Sequence, residues 1–400
     1  MTTVVCCARP LGYGPASKLH LIAEELRARG ARTVFMGAGL AHEFALRAGV
    51  NAVEAAADDP VGRALIASSD AVLSLMDPDS LRVAQALAKP SFAVDSLVWM
   101  RDRVPEEFIA STRYWAQDFI GVGERLAQTA TDATVVGPIV RAMTPAPADT
   151  RAGLVVSLGG LDSPYQADDG ARRYADFVVD GLLRSELLAA FDGRALVLGG
   201  GRCIDGLRRR CAGTRLELAS LPHADAVARL RRAALVLTAP GLTTTLECFQ
   251  LATPTFFLPP QNYSQWWILA TLRRRELAPS ALHWADRLAT PAIVEHMAEE
   301  VRVPLVRDLL ARMLSDDDAA DAFRAALAGV LAIDHAALAR RQRAFFATLG
   351  PAPAASAPRV GNAAASIAEA ILADRSVTAT RGALGASRST SAATSLEIAR

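Results

Sequence analysis

The stretch APGLTTTLECFQLATPTFFLPPQNYSQWW runs from Ala239 to Trp267. Pro240 and Gly241 break the chain after the apolar run AALVLTAP, and Thr243 to Thr245 then open an amphipathic helix. A second apolar run, TPTFFLPP, closes on two prolines and passes into a polar cluster of Gln261, Asn262, Ser264 and Gln265. Strand, glycine turn, helix and strand in that order are the repeating unit of a parallel α/β sheet. A helix that opens directly after a strand presents free N–H groups and the positive end of its dipole, a setting that favours phosphate. Three threonines at that mouth exceed what one cap needs, and Thr243 and Thr244 could add hydroxyl donors. Glu247, one turn further in, could accept both hydroxyls of a ribose. The alternative is packing alone, in which Gly241 turns the chain, the threonines cap the helix and Glu247 is solvated.

The same unit recurs outward from this stretch. In the first half the strand candidates are TVVCCA, RTVFMG, AVLSLM, SFAVDS and ATVVGPI, with helical segments between them, clearest in KLHLIAEELRARG with its closing Gly30. In the second half they are AGLVVSLGG, RALVLGGG, LELAS, AALVLTAP and TPTFFLPP. The segment VRAMTPAPADTRAG carries two prolines among small and polar residues and marks a linker near 140–152. The expected fold class is α/β, with two Rossmann-like doubly wound domains facing each other across a cleft, over 1–145 and 153–360. A helix over 361–375 follows, then a tail over 376–400 whose Ser, Thr, Ala and Gly content predicts disorder. Ligands in such sheets lie beyond the carboxyl ends of the strands. Here those ends carry Gly12 to Lys18, Asp95 and Ser96, Gly159 to Ser163, Gly199 to Arg202, Pro240 to Thr245 and Pro259 to Gln265.

Composition narrows the partners. The 400 residues carry 43 basic and 42 acidic side chains, net +1, which leaves no electrostatic footprint for nucleic acid. No apolar run is long enough to span a bilayer, so no membrane insertion is expected. The opening MTTVVCCARPLGYG reads as a first strand and not as a signal peptide, for it lacks a basic leader. Five cysteines without CxxC or Cys/His spacing fit a reduced, cytoplasmic setting. Acidic clusters at Asp77–Asp79 and Asp316–Asp318 read as turn chemistry, so no metal is expected. Lys18 and Lys89 are the only lysines.

Two further segments bear on ligand binding. SLGGLDSP, Ser157 to Pro164, follows a strand, and its glycines allow close backbone approach; Gly160, Asp162 and Ser163 are candidates there, with a plain turn as the alternative. His223 opens the helical segment PHADAVARL, as a ligand contact or as a capping residue.

Taken in order, the Gly-rich loop, SLPH, APGLTTTLE and PPQNYSQ resemble the donor half of a GT-B nucleotide-sugar glycosyltransferase. With GYGPASKL, VDSLVWM and YWAQDF in the first half, the markers span residues 11 to 265 and are similar to those of the cytosylglucuronate and hydroxymethylcytosylglucuronate synthases. The resemblance implies inverting transfer of glucuronate from UDP-glucuronate to N1 of cytosine or hydroxymethylcytosine, in nucleoside antibiotic biosynthesis. It implies that His223 faces the uracil, that Gly241, Thr243 and Thr244 hold the diphosphate, and that Glu247 binds ribose. Gln261, Asn262 and Gln265 would then meet the sugar. The UDP-sugar is a substrate, and no cofactor or metal is implied.

On the acceptor side Asp95 is the candidate base, either taking the N1 proton or holding the base edge; the alternative is that it caps the next segment. Tyr13, Ser17, Lys18 and Trp99 would shape that pocket, while His20 reads as helix packing and stands with Lys18 as the next choice of base after Asp95. Arg202 and Lys18 are candidates for the glucuronate carboxylate. Competing readings are another UDP-sugar transferase acting on a natural product, a nucleotide-sugar 2-epimerase, and a non-catalytic nucleotide-binding partner subunit.

Overall fold

The computed structural model describes residues 1–163, 168–287, 297–350 and 363–377. Twelve strands form two all-parallel sheets among these residues. The first holds β1 (Thr3–Ala8), β2 (Arg32–Gly37), β3 (Ala52–Glu54), β4 (Ala71–Leu75), β5 (Ser91–Asp95), β6 (Arg113–Gln117) and β7 (Thr134–Val136), in the order 3-2-1-4-5-6-7. The second holds β8 (Leu154–Ser157), β9 (Arg194–Leu198), β10 (Arg215–Ala219), β11 (Leu235–Thr238) and β12 (Thr255–Phe257), in the order 10-9-8-11-12.

Central strands explain themselves. β1, β4 and β11 are unbroken apolar or small-residue runs because helices cover both faces of a parallel sheet. Cores form on both sides, with Val4, Leu73 and Val94 packed against the helix Tyr13–Ala28, and Val156, Leu237 and Phe256 against the helices of the second sheet. In each sheet the strand order reverses next to the first strand, between β1 and β4 and between β8 and β11. Crevices open at such reversals, beyond the strand ends.

The runs predicted as strands overlap ten of the twelve, and β3 and β6 are additional. β3 is a three-residue edge strand, too short for a periodic signal. β6, RYWAQ, begins on an exposed Arg113 and ends on Gln117, which is fully buried and whose side-chain oxygen accepts the Ile139 N–H at 3.3 Å. Between Val136 and Leu154 the chain makes only the short 3-10 turn Ala148–Thr150.

The chain finally returns to the first sheet. Helix Ala363–Ala373 packs Ile367, Ala368 and Ile371 into the core that holds Leu19, Ile22 and Leu26 of helix Tyr13–Ala28. Val377, placed in the tail by composition, is 1% exposed within the same core, because it is an apolar residue delivered there by the helix. The rest of that tail, 378–400, lies outside the described residues, as does 351–362.

Among the described residues no single helix is long and apolar enough to cross a membrane. The pair Asp317–Val330 and His335–Phe346 reaches that length only jointly and bends by 96°. All five cysteines are free thiols, and Asp316 caps the helix Asp317–Val330 through the N–H groups of Asp318 and Ala319. Among the described residues no group of three His, Cys, Asp or Glu side chains is placed to hold a metal ion.

Candidate donor and acceptor cleft

A cleft of about 560 Å³ lies where the carboxyl ends of the two sheets face each other. Its floor on the second sheet is the turn after β11. Helix Leu242–Gln250 begins there with Gly241 as N-cap and no side-chain cap bond. None of the threonines caps the helix, so its first N–H groups stay available. Thr243 and Thr244 are half-buried and line the cleft, whereas Thr245 is fully buried.

The other wall is the start of helix Tyr13–Ala28, which also lacks a side-chain cap. The two helices meet first turn to first turn. A Cβ on Gly14 would stand 3.0 Å from Thr243 Oγ1, so the two mouths lie in close contact at this point.

Glu247 sits one turn below the mouth, 4% exposed, and its Oε1 is 2.7 Å from His223 Nε2. Burial pulls the His223 pKa down, but the charge and hydrogen bond of Glu247 outweigh it and the net shift is upward. Both residues line the cleft. They form an ion pair with each other, with Phe44 beside the imidazole at 6.1 Å between ring centroids.

The polar cluster divides. Asn262 caps the helix Tyr263–Arg274, its Oδ1 accepting the Gln265 N–H at 3.1 Å and the Ser264 hydroxyl at 2.8 Å. Asn262, Ser264 and Gln265 all line the cleft. Gln261 does not; it is buried behind Gln265, whose Oε1 accepts its N–H at 2.8 Å. Gly160 does line it, at φ +94°, a left-handed conformation that favours glycine, with Gln261 Oε1 3.2 Å from where a Cβ would lie.

Asp162 and Ser163 turn elsewhere. Asp162 Oδ1 accepts the Cys203 N–H at 3.2 Å, and the Ser163 hydroxyl donates to the Leu11 carbonyl across the cleft at 2.7 Å. Asp162 therefore steadies the next helix start, and Ser163 ties the two halves together. Arg202 is held by the Asp162 carbonyl at 2.7 Å.

On the acceptor side the expectations need correction. Asp95 is fully buried and does not line the cleft. Its Oδ2 takes a 2.6 Å ion pair from Arg101 Nε and lies 3.5 Å from the Tyr114 hydroxyl, while Oδ1 accepts the Leu97 N–H at 2.8 Å. A carboxylate so engaged is a local anchor, the capping alternative, and not a free base. Ser17 is likewise buried, donating to the Gly14 carbonyl at 2.9 Å. Trp99 stacks on Trp267 at 4.3 Å, 2% exposed, joining the halves behind the cleft.

Tyr13 and Lys18 do face the cleft. Burial and the neighbouring Glu43, which accepts the Tyr13 hydroxyl at 3.2 Å, push the tyrosine pKa to about 12. Lys18 is 2% exposed, and burial draws its pKa from 10.5 to about 8 against the pull of Glu247 and Asp95.

Sequence reasoning ranked one group behind Asp95. His20, read as packing, lines the cleft with Glu24 and Arg141. Its Nε2 is 3.2 Å from Glu24 Oε1, and Glu24 Oε2 accepts from Arg141 at 2.8 Å. Nδ1 is buried with no hydrogen-bond partner. Burial lowers the His20 pKa, so the ring is neutral near pH 7 with Nδ1 as a free acceptor once Nε2–H donates to Glu24. The i, i+4 spacing of His20 and Glu24 was the signal that could have found them.

No protein-family model matches the chain, and no curated protein matches its sequence. Solved structures do match. The spinosyn rhamnosyltransferase SpnG complexed with thymidine diphosphate is similar over 88% of this chain and 97% of its own, with a TM-score of 0.52 and 13% identity. Arabidopsis thaliana UGT89C1 complexed with UDP matches over 82% and 100%, at TM-score 0.47 and 13% identity. The glycotransferase of kitacinnamycin matches over 94% and 99%, at TM-score 0.47 and 15% identity. At such identities the first of these speaks for the fold: the chain has the GT-B arrangement, two Rossmann-like domains across a cleft.

Proposed function

We propose that the protein is a UDP-sugar-dependent glycosyltransferase that moves glucuronate from UDP-glucuronate to N1 of cytosine or hydroxymethylcytosine, with inversion, in nucleoside antibiotic biosynthesis in the cytoplasm. The observation that carries the transferase reading is the uncapped helix mouth at Gly241 with Thr243, Thr244 and buried Glu247 on one wall of the cleft. It offers a diphosphate free amides, hydroxyls and a helix dipole, and offers a ribose an acidic acceptor one turn away. The choice of glucuronate and cytosine rests on the seven sequence markers and their order.

In this reading N1 of the base attacks the anomeric carbon from the face opposite UDP. The N1–C bond forms as the bond to the β-phosphate oxygen breaks, and UDP leaves with that electron pair. The mouth stabilises the charge growing on the diphosphate, with no divalent ion required. The N1 proton passes to His20, in place of Asp95, with the Glu24 carboxylate stabilising the imidazolium and Arg141 holding Glu24 in place.

The test is UDP release by the purified chain from a panel of UDP-sugars and pyrimidine bases, with and without a chelator. Release with UDP-glucuronate and cytosine, unchanged by chelator, is expected. His20→Gln should then lose about a hundredfold or more in transfer while binding UDP like the parent. Failure of every pair would favour a nucleotide-binding partner subunit.

A further inference from the structure

Lys18 carries a charge that the described residues do not compensate. Its side chain is 2% exposed and lines the cleft, and no hydrogen bond or ion pair is formed by it among the described residues. Two carboxylates act on it at longer range, Glu247 and Asp95. Each is already engaged by another side chain, Glu247 by His223 at 2.7 Å and Asp95 by Arg101 at 2.6 Å.

The surroundings add positive potential. Lys18 stands one helical turn after Gly14, on the same face, and Gly14 abuts Thr243 of the opposite mouth. Two uncapped helix starts and a buried ammonium thus converge on one place from different domains. An unpaired buried charge is costly, and what relieves this one is an anion between the two mouths.

We propose that Lys18 is the counter-charge for the donor's diphosphate, supplied from the domain opposite the one that binds the nucleotide, so that the diphosphate bridges the cleft. The inference rests on the donor reading above. It also separates Lys18 from the acceptor pocket and from the sugar carboxylate, the two roles its sequence position suggested.

Calorimetry on the full chain with UDP, UMP and uridine tests it. Lys18→Met should weaken UDP roughly ten- to a hundredfold, UMP less, and uridine not at all. The parent needs no substitution for a second readout. Its UDP affinity should fall as pH rises from 7 to 9, through the lysine pKa of about 8, and that fall should be smaller in Lys18→Met. Of the other groups facing the cleft, His20 is already neutral there and Tyr13 titrates near 12. Any His223 contribution is common to both proteins and cancels in the comparison.

Parent-like UDP affinity in Lys18→Met overturns the inference, most pointedly if preference for UDP-glucuronate over UDP-glucose is lost instead. If Thr243→Val with Thr244→Val loses UDP while Lys18→Met keeps it, the donor reading stands and only this inference falls. A parent without UDP affinity removes both.

Discussion

Replacing Lys18 with methionine should make the unliganded protein more stable, the reverse of what an ordinary core substitution does. The side chain is buried, and its pKa falls from 10.5 to about 8. At about 1.4 kcal/mol for each tenfold loss of proton affinity, burying the ammonium costs about 3 kcal/mol at neutral pH. A folded pKa below the unfolded value means the native state holds the proton more weakly. The penalty is therefore complete below pH 8, shrinks between 8 and 10.5, and is absent above. Methionine keeps the unbranched chain and removes the charge, so Lys18→Met should gain up to about 3 kcal/mol at pH 7. The advantage should shrink steadily as pH rises toward 10.5. Urea unfolding of both proteins at pH 7 and 9.5 measures it, and saturating UDP should narrow the gap because it stabilises the tighter-binding parent more. A variant less stable than the parent at pH 7, or a difference independent of pH, would refute the uncompensated charge.

Two other outcomes follow from buried pairs. Asp95→Asn should cost roughly 3–5 kcal/mol of stability by removing the buried carboxylate that Arg101 holds, as read by chemical denaturation; a variant that unfolds like the parent yet transfers no sugar would return the base to Asp95. The His223–Glu247 pair should contribute stability that is complete below pH 6.5 and is lost as pH rises through the higher native pKa of His223. NMR titration of the His223 ring should place its midpoint above 6.5 in the parent and lower in Glu247→Gln, and an unshifted parent value would contradict the pairing.

Local features were legible in the sequence because their causes are local. Runs such as TVVCCA and LVLT declare buried parallel strands, and the glycine, threonines and Glu247 after β11 share one strand–turn–helix unit. The same reasoning lost β6, where a buried Gln117 breaks the apolar pattern to meet Ile139 more than twenty residues on. It misplaced Asp95 because a carboxylate at a strand end looks the same whether it faces a cleft or turns back to Arg101. Contacts between distant segments, such as Ser163 to Leu11, Gly14 against Thr243 and Trp99 on Trp267, leave no local trace at all. The cleft is built from such contacts, so the unit after β11 could be read ahead of the fold, while which strand-end residues of either half face the cleft could not.

The returning helix Ala363–Ala373 has a practical consequence for hybrid proteins. A chain of two Rossmann-like domains invites exchange of one half for that of a relative, with the cut placed in the linker. Here the first sheet's core is made of two separate pieces of chain, since Ile367, Ile371 and Val377 complete the packing behind Leu19 and Ile22. A chimera cut once near residue 145 would set a foreign lobe against this native helix and strip the native lobe of its support. Two junctions, the second ahead of Ala363, would carry the lobe over whole, and the ion pair of Arg113 with Asp374 at 3.2 Å would travel with it.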